Sequence, residues 1–223
     1  MNPLEYYINS DYLRESERLR IRLNFSNRKG WYHNMWHLET MWNHLCKVCN
    51  PDFLNKYKDL FLYAILYHDY VYKPGSQFNE IASVGKFLDE MKLHHDMILI
   101  PDKSIYCNPD TITNVCELIL ATKTHKPTGN YLTDLFIDAD LSMFGVSRDE
   151  FIEALNRIAY EHQLLDDYDN FLVKQNAFIK NLIKSRGGRI FTTETFRSSE
   201  LHDNAFDNLT YLTNICFEIE NKS

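Results

Sequence analysis

Apolar positions along this chain recur three and four residues apart far more often than they alternate, which predicts helices and few strands. From Asp11 to Asn27, Tyr12, Leu19 and Leu23 punctuate a charged stretch, the pattern of an amphipathic helix. A second helix is expected from about Trp36 to Val48. Asn50 followed by Pro51 reads as an N-cap with proline in the first turn, opening a helix that runs through the apolar LFLYAILY to His68. Lys73-Pro74-Gly75-Ser76 breaks the pattern into a loop. From about Phe78 to Leu93, the residues Ile81, Val84, Phe87, Leu88 and Met91 fall on one helical face. Asn108-Pro109 repeats the cap-plus-proline signal, and the helix after it carries Val115, Leu118, Ile119 and Ala121 toward His125. Pro127-Thr128-Gly129-Asn130 is a turn. Ser147 with Glu150 makes a capping box for a helix through about Leu164. A further helix from Asp169 to Lys184 stops at Gly187-Gly188, and a last one fills Leu201 to Ile219. The fold class expected is all-α, a compact helical bundle in a single domain.

Charge and cysteine content narrow the classes. A net charge of −7 argues against duplex nucleic acid as a partner, whose phosphates call for clustered Lys and Arg. It leaves room for a small phosphate ester held by a cation. Five cysteines, Cys46, Cys49, Cys107, Cys116 and Cys216, include one close pair and no second pair to complete a zinc knuckle. They read as reduced and mostly buried. The N-terminal stretch is polar without the apolar run of a signal peptide, and no window offers eighteen apolar residues for a membrane span. A cytoplasmic protein with no membrane partner is the expectation.

The chemistry concentrates in five places: WYHNMWH with His33 and His37, LYHDYVY with His68 and Asp69, FNEIAS with Asn79 and Glu80, LATKTH with His125, and FIDADLSMFG with Asp138 and Asp140. Helix ends in a bundle can converge, and a buried His-Asp pair is costly unless it is paired or binds metal. Imidazole plus carboxylate suits Mn, Fe, Co, Ni or Zn. His33 and His37 share the four-residue spacing of zinc proteases, but Asn-Met-Trp between them lacks the glutamate base. His44, His94, His95, His162 and His202 read as packing or capping residues.

In this order the motifs resemble the HD superfamily of metal-dependent phosphohydrolases. The nearest branch carries YHNxxH, HDxVY, NExxS, ATxxH and DxDL. Here these are Tyr32-His33-Asn34 with His37, His68-Asp69-Tyr70-Val71-Tyr72, Asn79-Glu80 with Ser83, Ala121-Thr122 with His125, and Asp138-Ala139-Asp140-Leu141 with Gly145. The resemblance runs from about Trp31 to Glu161. It implies an HD-type domain over 1–223 with its core at about 31–165 and a helical extension at about 166–223. It implies a divalent cation (Mn, Fe, Co, Ni, Zn or Mg) on His37, His68, Asp69 and Asp140. His37 is favoured over His33 because it precedes an apolar helix, and Asp140 over Asp138 for its Ala-Asp-Leu context. The activity implied is hydrolysis of a small phosphate ester, a nucleotide by preference. Asp69 or Glu80 would take a proton from water, and His33 and His125 would contact the phosphate or a second ion, with Lys73 and Lys123 as further candidate cations. Trp36, Tyr70 and Tyr72 would wall the pocket or fill the core. A nucleotide- or metal-binding sensor module and a di-iron oxygenase are the alternatives. Many HD proteins pair, so a homodimer is a further expectation, although no heptad pattern points to an interface.

Overall fold

The structure is a computed structural model that describes residues 4, 5, 8, 13–96 and 109–222, with the backbone alone at 93–96. Among the described residues every regular element is helical and there is no strand. The α-helices are α1 Glu15–Ser26, α2 Met35–Val48, α3 Pro51–Tyr67, α4 Asn79–Asp96, α5 Pro109–Ala121, α6 Tyr131–Asp140, α7 Arg148–Glu161, α8 Tyr168–Ser185, α9 Glu194–Arg197 and α10 Glu200–Glu220. Short 3-10 turns occupy Leu141–Gly145 and Leu165–Asp167. No helix among the described residues is long and apolar enough to cross a membrane. The chain divides into two compact units, one from Met1–Lys29 with His33–Thr124, the other from Gly30–Tyr32 with His125–Ser223.

In the first unit α3 is the centre. Every residue from Leu60 to Tyr67 is buried, and a helix apolar all round must be wrapped by others. Helices α2, α4 and α5 pack against it or against one another. The expected cap of α3 is present, the Asn50 side chain accepting from the Asp52 N–H with Pro51 in the first turn. Helix α2 has a cap that was not expected, the Asn34 side chain accepting from the Trp36 N–H.

Two expected faces turn out differently. On α1, Leu19 and Leu23 are exposed, and the buried stripe is Glu17, Ile21 and Phe25. Sequence patterning discounts a glutamate, yet the Glu17 carboxylate is satisfied inside by the Tyr67 hydroxyl at 2.7 Å. On α4, Val84, Phe87 and Met91 are buried as expected, but Ile81 and Leu88 face solvent. Ser83 and Glu90 are buried on α4, Ser83 bonded to the Val71 backbone and Glu90 to Arg14 and Arg20. Asp11, Tyr12, Cys107 and Asn108, and the side chains of His94 and His95, lie outside the described residues.

The second unit packs α10 against α8 and against the 3-10 turn Leu141–Gly145. That turn leaves carbonyls that no helix satisfies, and asparagines of α10 supply the donors. Asn208 Nδ2 reaches the Phe144 and Val146 carbonyls, and Asn204 Nδ2 the Gly145 carbonyl. Gly145 permits the approach, because a Cβ there would overlap the Leu201 backbone and lie 2.8 Å from the Leu201 Cβ. The capping box of Ser147 and Glu150 opens α7 as expected, and Gly187 and Gly188, both with positive φ, end α8. Helix α6 is an element the apolar periodicity did not predict. Thr133 to Ala139 are all buried, so no stripe stands out, and its start is set by the Asn130 side chain accepting from Leu132 and Thr133.

Candidate metal centre

In the first unit the end of α3 and the start of α2 bring three expected ligands together. His68 is the C-cap of α3, its N–H bonded to the Ala64 carbonyl, and Asp69 follows it. His37 lies in the first turn of α2. His37 Nε2 and His68 Nε2 stand 3.2 Å apart, His68 Nε2 is 3.0 Å from Asp69 Oδ2, and His37 Nε2 is 3.7 Å from the same oxygen. Donors about 2.1 Å from one ion stand about 3.0 Å apart at a right angle and about 3.4 Å at a tetrahedral one. The three separations therefore fit a common cation.

The surroundings prepare this donor set. The His68 Nδ1 faces the Ile65 carbonyl at 3.0 Å, so the ring proton belongs on Nδ1 and the lone pair on Nε2, the nitrogen turned toward His37 and Asp69. Both imidazoles are almost fully buried. Burial alone would raise the Asp69 carboxyl, but His68, His33 and His37 outweigh it and hold the group below the ordinary carboxylate range. The negative end of the α3 dipole falls on the same spot, which favours a cation.

The loop carrying Asp69 is held along its length. Arg28, a buried residue, donates from Nη1 to the His33 and Asp69 carbonyls at 3.0 and 2.7 Å and from Nη2 to the Tyr70 carbonyl at 2.8 Å. Asn24 Nδ2 also donates to the Tyr70 carbonyl. The Ser83 hydroxyl bonds both the N–H and the carbonyl of Val71, and the Asn79 amide does the same for Lys73. The NExxS motif thus acts here through Asn79 and Ser83 as a backbone clamp, and between them Glu80 keeps a buried Oε2 without a hydrogen-bond partner.

The other expected residues of this unit spread out from that point. His33 precedes the N-cap Asn34, so it is not on the helix that holds His37. Its ring stacks on Tyr72 at 3.9 Å and meets His37 edge-on at 5.8 Å. Tyr70 stacks on Tyr67 at 5.3 Å. Trp36 is half-buried and Lys73 is exposed. Lys123 is exposed too, with its ammonium donating to the Gln77 carbonyl at 2.7 Å.

In the second unit His125 Nε2 and Asp140 Oδ2 are 2.8 Å apart. The neighbouring Asp138 has a different life. It is fully buried, ion-paired to Arg186, and accepts from the Thr192 and Thr193 N–H groups and the Thr193 hydroxyl. Burial outweighs the pairing, so that the Asp138 carboxyl is raised and the Arg186 guanidinium lowered, with the ion pair and the surrounding donors opposing the shift only in part. A carboxylate so fully engaged is structural, which separates the two aspartates of the DxD stretch. His202 packs its ring near Phe191, and His162 caps α7. Reading the sequence missed Arg28 and Arg186. One sits in a turn-like Asn-Arg-Lys-Gly and the other before Gly-Gly, where an arginine normally reads as a solvated surface residue. Comparison with protein-family models, with curated proteins and with solved structures returns no match.

Proposed function

We propose that this protein is a divalent-metal-dependent phosphohydrolase of the HD type acting on a small phosphate ester, a nucleotide by preference. The observation that carries the reading is the convergence of His37 Nε2, His68 Nε2 and Asp69 Oδ2 at 3.0 to 3.7 Å at the end of a buried helix. Asp140 is assigned as a fourth ligand on its sequence motif. A divalent cation bound there would polarise a phosphoryl oxygen and make water a better nucleophile. Around it, Arg28 and the Asn79–Ser83 clamp hold Asp69 in place, and the His68 Nδ1 contact with Ile65 orients the ring. Glu80, with its unpartnered buried oxygen, is the candidate to accept a proton from water. His33, stacked on Tyr72, and His125 are the candidate contacts to the phosphate, with Lys73 and Lys123 as more peripheral cations.

The test is metal analysis of the purified protein followed by phosphate release from a nucleotide panel with Mn, Co, Ni, Mg and Zn. Bound metal near one or two equivalents, with chelator-sensitive release that is lost in His68→Ala, is the expected result. Bound metal with no release from any phosphate ester would refute the hydrolase, and no metal uptake after reconstitution would refute the site.

A further inference from the structure

His125 has a left-handed backbone, φ 51°, one of two such non-glycine residues among those described. A residue with a Cβ enters that region at a cost, and stays there when its surroundings hold it. His125 is held by Arg186. That arginine is the C-cap of α8, in the C-terminal part of the chain, and it is almost fully buried. Its Nη1 donates to the His125 carbonyl, its Nη2 to Asp138 Oδ1 and to the Thr192 hydroxyl at 2.7 Å, and its Nε to the Ile190 carbonyl at 3.0 Å. The guanidinium is planar and anchored on three sides, so the point at which it meets the His125 carbonyl is set by the α8 end and by Asp138. The same histidine presents Nε2 to Asp140 Oδ2 at 2.8 Å.

We propose that Arg186 is a positioning residue for the His125–Asp140 pair. By gripping the His125 carbonyl it fixes the left-handed backbone from which the imidazole reaches Asp140, and so presets the orientation of that carboxylate toward a divalent cation. Only the last step rests on the proposed function; the grip on His125 stands apart from it. The C-terminal segment then has a defined task in the site chemistry although it contributes no ligand.

Removing Arg186 alone strands the Asp138 charge. Asp138→Asn in turn leaves Arg186 without its counter-charge, but its amide oxygen still accepts from Nη2 and keeps the grip. The informative comparison is therefore that variant against the charge-neutral pair Asp138→Asn/Arg186→Met, which loses it. Two readouts follow. In chelator-treated, nitrogen-15-labelled protein, the hydrogen-bonded Nε2 signal of His125, assigned by its loss in His125→Gln, is expected in wild type and Asp138→Asn and absent from the double variant. In Co(II) titrations the double variant is expected to bind at least about tenfold more weakly than Asp138→Asn, as outer contacts to metal ligands usually do. Adding His125→Ala to it should weaken binding no further, since both changes break one chain of contacts. A His125 signal that survives loss of Arg186, or losses that multiply, would overturn the proposal. Should the double variant not fold, Arg186→Lys keeps a cation beside Asp138 without the planar fork and is judged by the same two readouts. If wild type takes up no Co(II), the metal reading falls, and the nitrogen-15 signal alone still decides the grip.

Discussion

Asp138 and Asp140 are two residues apart in one motif, and the structure gives them opposite consequences on removal. Asp138→Ala leaves the Arg186 guanidinium buried without a counter-charge, and orphans the Thr192 and Thr193 N–H groups and the Thr193 hydroxyl. Breaking a buried pair from one side costs about 3–5 kcal/mol, and the stranded donors place the loss toward the upper end. For a chain of this length each kcal/mol moves the midpoint by about 2–4 °C, so a fall of roughly 10–20 °C is expected. Asp140, with its side chain 10% exposed and His125 beside it, should cost under about 1.5 kcal/mol when changed to alanine. The assay is thermal and urea unfolding of both variants, metal-free and with metal. The same variants are then compared for Co(II) uptake, which Asp140→Ala should reduce while the fold remains. An Asp138→Ala protein within about 1 kcal/mol of wild type would refute the argument, and so would an Asp140→Ala protein that is the less stable of the two.

Three further outcomes are expected. Arg28→Met should lower stability by about 3 kcal/mol, through loss of three charged-donor bonds to the His33, Asp69 and Tyr70 carbonyls, and weaken metal binding with it; urea melts and Co(II) titration of one sample check both. Gly145→Ala should destabilise by more than about 2 kcal/mol, because its Cβ meets Leu201 backbone that cannot swing aside, and a calorimetric midpoint close to wild type would contradict the packing of α10 on the 3-10 turn. Burial pushes the Cys49 thiol up to about 11, with Cys46 adding to it. The folded value lies above the ordinary thiol value of about 8.5, so the contribution is full below that pH and lost as pH rises toward 11. Wild type should therefore lose more stability than Cys49→Ala between those two pH values in a urea series, and equal losses would count against the buried thiol.

The helices legible from the chain are those with a strong local signal. Asn50-Pro51, Ser147 with Glu150, and Gly187-Gly188 mark ends through capping chemistry that needs no distant partner, and the structure places helix ends there. The ligand candidates His68 and Asp69 stand out for a related reason, whereas His37 is favoured over His33 only through the resemblance of the motifs. A His-Asp pair directly after the apolar run LFLYAILY has few stable explanations, and its residue types already restrict the chemistry.

What the sequence could not determine is whatever depends on which distant group meets a polar side chain. Glu17, Ser83 and Glu90 sit inside because Tyr67, Val71 and two arginines satisfy them there, so the buried faces of α1 and α4 differ from the apolar stripes Leu19–Leu23 and Ile81–Leu88. Helix α6 hides its period because it is buried on every side. Asp138 and Asp140 differ along the chain only in their immediate context, and the tertiary surroundings make one a structural anchor and the other a partner of His125. Arg28 and Arg186 look like surface cations until the carbonyls around them are seen. Local capping and apolar periodicity are properties of neighbouring residues and can be read along the chain. The burial of a charge is decided by the energy of its partners, and those are assembled only by the tertiary fold.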